Sequence, residues 1–148
     1  MWLLFTIFVS LAPVVPVSGP VIEGFRPPAC ERCAGRRGVV IGSQAGSPVR
    51  AVTTGPVTFG GTVGGLIYVV QQIAPRVRVT YGWLSTMSDV QPGDQLNPGQ
   101  VLGTAGQRTY LGVRVGQTYV EPLRYLGWGG ARLRGPGGVI VGARPPSR

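Results

Sequence analysis

The side chains able to do chemistry in this chain are few, and their types already narrow what they can do. Among 148 residues there are 14 basic ones, every one an arginine, against five acids, for a formal net charge of +9. Histidine and lysine are both absent. Arginine is a permanently charged planar fork with five donors and no acceptor, suited to gripping carboxylates and phosphates. Such a surface fits an anionic cell-wall polymer, nucleic acid or acidic lipid head groups; the alternative is a compositional bias of arginine over lysine. The two cysteines form a Cys30-x-x-Cys33 pair. In an exported chain this spacing predicts a short-loop disulfide. It is at best half of a four-ligand structural zinc site. A thioredoxin-like redox pair needs a strand-to-helix setting, which Pro27-Pro28 and the nearby glycines do not supply.

Short strands and tight turns must position these groups. Glycine numbers 25 and proline 14, while only 13% of residues are charged, a mixture poor for helix interiors. The length suits one ordinary domain. Strands are predicted at Pro48–Val52 and Gly55–Phe59, and at Leu66–Val70 as a run buried on both faces. Val77–Tyr81 alternates apolar with polar and predicts a half-buried strand. Tyr110–Val115 and Gln117–Val120 pair as a hairpin across Gly116. Pro122 then opens a short helix that Gly127 stops.

The loop Val90–Gly103 carries two turn elements, Pro92-Gly93-Asp94 and Pro98-Gly99-Gln100, set among Val90, Leu96, Val101 and Leu102. That pattern folds into a β-hammerhead corner shared by several fold groups. Biotinyl and lipoyl carriers, which need a lysine, and sugar phosphotransfer domains, which need a histidine, are excluded.

The ends read differently. Trp2 to Val17 is almost entirely apolar, too short for a confident membrane span. Residues 1–19 are predicted to be a signal peptide or an uncleaved N-terminal anchor. The anchor stays open because no basic residue follows Met1 and Pro20 hinders a cut at Val17-Ser18-Gly19. Both place the rest of the chain outside the cytoplasm. Residues 20–34 read as a proline-bearing linker, 35–127 as the compact domain, and 128–148 as a flexible basic tail in which Val139–Val141 adds an edge strand.

Several ordered motifs in Phe25–Gly127 resemble the lysostaphin/LytM-like zinc metallopeptidases, which cut peptidoglycan. These are Arg36-Arg37-Gly38-Val39-Val40, Pro48-Val49-Arg50-Ala51 through Gly55-Pro56-Val57, Tyr81-Gly82-Trp83-Leu84, Arg108-Thr109-Tyr110, and Tyr119-Val120-Glu121-Pro122. The resemblance implies an all-β single domain of the duplicated hybrid motif, a sandwich or barrel-sandwich hybrid. It also implies that Arg36, Val40 and Tyr110 occupy the family's metal-ligand positions, and Trp83 and Arg108 its catalytic histidine positions. Each of these side chains departs from the family's pattern. Zinc needs at least three lone-pair donors; arginine and valine offer none, and a neutral phenol is a poor one. The zinc expected for the family is therefore not expected here, nor is hydrolysis.

The reading drawn from this is a degenerate, non-catalytic member that is secreted and binds peptidoglycan or another anionic wall polymer, or regulates a cell-wall hydrolase. Arg36 and Arg108 would grip carboxylate or phosphate, with Tyr81 and Trp83 lining the groove. Alternatives are an active zinc endopeptidase and an arginine-driven binder of nucleic acid or anionic membrane. No nucleic-acid partner is expected, since no aromatic residues interleave with the tail's arginines, and membrane contact is expected only through an uncleaved N-terminus. On the bland reading Arg36 and Arg108 are solvated surface residues and Tyr110 a core strand residue.

Overall fold

The structure, a computed structural model, describes residues 13–128 and 132–133. Ten strands account for most of them: β1 (Gly19–Glu23), β2 (Gly38–Gly42), β3 (Pro48–Arg50), β4 (Gly55–Val63), β5 (Leu66–Ala74), β6 (Val77–Met87), β7 (Gln95–Leu96), β8 (Val101–Val115), β9 (Thr118–Val120) and β10 (Arg132–Leu133). They join in one antiparallel sheet in the order β10-β1-β2-β8-β6-β5-β4-β7, with β3 and β9 also paired to β8. The all-β single-domain expectation holds. One helix, α1 (Pro122–Tyr125), follows β9; the Glu121 carboxylate caps it by accepting from Arg124 N, and Gly127 ends it in the left-handed region.

Alternation explains which face each strand buries. In β6, Val77, Val79 and Tyr81 are buried while Arg78 is exposed, as a half-buried strand requires. These side chains meet Val39, Ile41, Val69, Leu111 and Val113 in a single core. A polar thread runs through it. The Tyr81 hydroxyl accepts from Val52 N at 2.9 Å and donates to Gln71 Oε1 at 2.7 Å. Gln71 Nε2 in turn donates to Thr53 O at 2.8 Å. The thread ties the 51–55 connection to the sheet and leaves no buried side-chain polar atom unpaired among the described residues. Burial holds the Tyr81 hydroxyl well above the usual phenol range, against the lowering effect of the Val52 bond.

The two predicted turns of the hammerhead loop share one design. Gly93 and Gly99 take φ of 95° and 80°, the left-handed values a type II turn needs after proline. Asp94 N donates to Gln91 O while Gln91 N donates back to the Asp94 carboxylate. Gln100 N and Asn97 repeat the pattern, with Asn97 N donating to Gln100 Oε1.

Four expectations are corrected. β5 is not buried on both faces: Leu66 is 43% exposed, and only Val69 and Gln71 are fully enclosed, because its other face belongs to the open side of the sheet. Residues 20–34 are not simply a linker. Val21 pairs with Ile41 and Glu23 with Val40, and Arg26 and Arg36 exchange backbone hydrogen bonds. Part of the segment assigned to residues 1–19 is built into the fold: Val15 and Val17 are 6% and 2% exposed in the core, and Val14 N donates to Val52 O. In the predicted tail, Trp128 is buried with its indole donating to Pro13 O, and Arg132 pairs with Pro20 in the sheet. Val15 and Val17 lie in the core and Val21 packs against it, so the apolar run that read as an export segment leads directly into the sheet. The edge strand predicted at Val139–Val141 lies outside the described residues.

Candidate functional site

β8 lies between β2 and β6, and the two pairings fix the site. Val40 and Gly82 both stand opposite Tyr110, and Gly38 opposite Gly112. Opposed residues of an antiparallel pair hold their β-carbons within about 4.5–5.5 Å. Val40 therefore meets Tyr110 while its neighbours Val39 and Ile41 enter the core on the other face. Gly42 faces Arg108, and Arg36 is fixed just before β2 by its backbone exchange with Arg26. The buried Thr109 hydroxyl lies 2.9 Å from Ser43 Oγ, which itself donates to Gly106 O; this pins β8 where Arg108 emerges.

Tyr110 rests in a cradle without β-carbons. A methyl group at Gly38 would come 2.6 Å from Tyr110 Cε2, one at Gly82 3.0 Å from Cδ1, and one at Gly112 2.7 Å from the hydroxyl. Trp83 closes over the ring, with centroids 5.6 Å apart. It does so from a β-bulge, where the register of β6 on β8 shifts between Gly82 and Leu84 and Trp83 takes a φ of 61°. A bulge re-aims a side chain. Here it sends Trp83 to the face opposite Tyr81, though two residues apart they would share a face in a regular strand. Tyr81 accordingly does not line the groove; it is buried in the core.

The Trp83 indole donates to the Tyr68 hydroxyl at 3.1 Å, and the Arg108 guanidinium sits 5.5 Å from the Trp83 ring centre. Glu23 joins the two arginines. Its Oε1 lies 2.7 Å from Arg108 Nη2 and its Oε2 3.7 Å from Arg36 Nε. Both pairs are partly exposed, so each contributes roughly 0.2–1 kcal/mol. Beside them Arg37 lies 5.8 Å from the Tyr119 ring centre and donates to Glu31 O. Burial first, then the Tyr119 and Tyr68 hydroxyls, push the Tyr110 phenol up to about 12, with Arg37 opposing.

Thus Arg36, Val40, Trp83 and Tyr110 line one shallow cavity of about 270 Å³ together with Glu23 and Arg37, and Arg108 stands at its edge through Glu23 and Trp83. Sequence reasoning missed Glu23, Arg37 and Tyr68. The register signal for Tyr68 was present, since it faces Gly82 across β5 and β6; Glu23 was hidden by assigning its segment to a linker. Cys30 and Cys33 are disulfide-bonded, outside this cavity, with Cα atoms 4.9 Å apart.

Arg36, Val40 and Tyr110 do not fit a zinc ion. Arg36 has no lone pair to give, Val40 has no donor atom, and the Tyr110 phenol stays protonated far above neutrality. Among the described residues no three His, Cys, Asp or Glu side chains gather to hold a metal. Trp83 and Arg108 cannot act as bases near neutral pH.

The antiparallel sheet with this cavity on its open face is a peptidase-type β fold. The chain belongs to peptidase family M23, whose model matches residues 34–122. No curated protein sequence matches it. Among solved structures it is similar to a zinc-containing peptidase from Vibrio cholerae, at 22% identity and a TM-score of 0.63 over 75% of this chain and 38% of that one. The chain thus spans well under half that protein's length. The catalytic domain of the prophage-encoded M23 protein EnpA from Enterococcus faecalis matches at 19% identity and a TM-score of 0.60, covering 71% of this chain and 88% of that one. A chain from the SpoIIIAH–SpoIIQ complex matches at 18% identity and a TM-score of 0.64, covering 78% and 98%. At these identities the likeness is one of fold.

Proposed function

We propose that this protein is a non-hydrolytic M23 module of the cell envelope that binds peptidoglycan through the remodelled cleft. One observation carries the reading: the fold brings Arg36, Val40, Trp83, Arg108 and Tyr110 together, and none of the five supplies an imidazole, thiolate or carboxylate. What they offer instead is two guanidiniums, an indole and a phenol, the groups that grip carboxylates and stack on sugar or peptide. Glu23 already bridges the arginines, so an incoming stem-peptide carboxylate must displace it. An extracytoplasmic location belongs to the same proposal, and follows the apolar start of the chain. A protein partner, such as a wall hydrolase, is the second reading; the related fold of SpoIIQ, found in complex with SpoIIIAH, favours it.

The test combines metal content with wall binding. After incubation with zinc and dialysis, elemental analysis of the purified protein is expected to find no stoichiometric metal. The Arg36→His, Val40→Asp, Tyr110→His variant should retain one zinc per chain, because Val40 and Tyr110 already face each other. In sedimentation with purified peptidoglycan, Arg36→Ala with Arg108→Ala should weaken binding about tenfold, a change of roughly 1.4 kcal/mol. Glu23→Gln should strengthen it by freeing the arginines. One zinc per chain in the unaltered protein, with wall hydrolysis abolished by a chelator, overturns the proposal. Wall binding indifferent to all three residues moves the partner away from the cleft.

A further inference from the structure

The end of the sheet away from the cleft carries a second concentration of charge. Arg78 on β6 and Arg114 on β8 are direct cross-strand partners. Like charges placed opposite one another destabilise a sheet. Arg76 joins them from the β5–β6 turn, and its guanidinium lies over Gly116 in the β8–β9 turn, where a methyl group would come 2.6 Å from Nη2. Its backbone is held there as well, since Gly116 N donates to Arg76 O at 2.7 Å. Arg76 takes a φ of 64°, a left-handed conformation after Pro75 in which glycine or asparagine is the ordinary choice. A long side chain is thus kept where the backbone disfavours it.

No internal carboxylate answers this charge. All five acidic side chains of the chain fall among the described residues, and the only ion pairs there are those of Glu23 with Arg36 and Arg108. The three arginines line a cavity of about 270 Å³ with Gly116 and Gln117. A carboxylate brings one charge and two oxygens, which a single guanidinium fork satisfies. Three arginines lining one cavity with no carboxylate paired to them among the described residues match an oxyanion with more charge and more faces.

We propose that Arg76, Arg78 and Arg114 form a phosphate-binding site, separate from the remodelled cleft and independent of what the cleft binds. Phosphate there neutralises the Arg78–Arg114 opposition and gives the strained Arg76 a partner. The ligand is a free phosphate or a phosphate carried on a polymer.

Calorimetric titration of the purified protein with pyrophosphate, at constant ionic strength, tests the site. Arg78→Gln with Arg114→Gln should weaken binding more than tenfold. Arg76→Gln, in a turn and outside the ladder, should weaken it severalfold without touching the sheet. Arg124→Gln, on α1 and lining neither cavity, should leave it unchanged. Without phosphate, the Arg78→Gln, Arg114→Gln variant should melt no lower than the unaltered protein, since it loses a repulsion. Orthophosphate binding as tightly as tripolyphosphate identifies a free phosphate as the ligand; a tenfold preference for the chain identifies phosphate on a polymer. Affinity unchanged in both the double variant and Arg76→Gln, or heats reproduced by sodium chloride at the same ionic strength, overturns the proposal.

Discussion

The phenol of Tyr110 lies on a floor that has no β-carbons, so its half-buried ring packs against backbone and against Trp83. That enclosure raises its pKa from 10.0 to about 12, and the shift has a definite sign in stability. The unfolded chain releases this proton at lower pH than the folded one, so above the unfolded value it binds fewer protons and stability falls as pH rises. The contribution is whole below pH 10 and is lost on the way to about 12. Denaturant midpoints measured across that interval should drop in the unaltered protein and drop less in Tyr110→Phe. An equal decline in both would mean the ring is not enclosed. At this scale the sequence was informative about which side chains gather at the cavity and silent about the carboxylate that joins them. Arg36, Val40 and Tyr110 were identifiable by motif spacing. Glu23, which neutralises the arginines, lies far from every motif and reaches them only through the pairing of β1 with β2.

Strand alternation was legible where one face meets the core, as in Val77–Tyr81, and it failed at Trp83, one of several places where the register shifts. The bulge at Trp83 leaves no mark in the run Tyr81-Gly82-Trp83-Leu84, because the shift is set by how β6 registers on β8 and β5. Tyr81 and Trp83 were therefore both expected to line the groove, when they stand on opposite faces of the sheet. Trp83 stays left-handed because its indole finds Tyr110, the Tyr68 hydroxyl and Arg108. Removing the indole should cost about 1–3 kcal/mol. Trp83→Gly should be no less stable than Trp83→Ala, since glycine accepts a positive φ without a β-carbon penalty. Urea unfolding of the two variants checks the order; a clearly more stable alanine variant would show that the backbone there is not left-handed.

Across the whole molecule, the sheet is closed by segments that the sequence assigned to an export signal and a tail. Val15 and Val17 fill the core, and burying a valine side chain contributes roughly 1.5–3 kcal/mol. A chain beginning at Pro20 should accordingly lose about 3 kcal/mol or more relative to one beginning at Pro13, read as a lower thermal midpoint. Equal midpoints would show that residues 13–19 are dispensable to the fold. The apolar character of residues 2–17 hid this role, because an export signal and a core segment call for the same side chains. The meeting of the two ends has a mechanical consequence. Gly19 pairs with Leu133 and Pro20 with Arg132, so the N-terminal side of β1 and the C-terminal side of β10 lie at the same end of an antiparallel pair. Force applied between Gly19 and Leu133 loads those bonds one after another, as a zip opens, whereas a shearing geometry would load them together. Tension from further upstream meets the core contacts of Val14 to Val17 first, so these residues shield the zip from the N-terminal side.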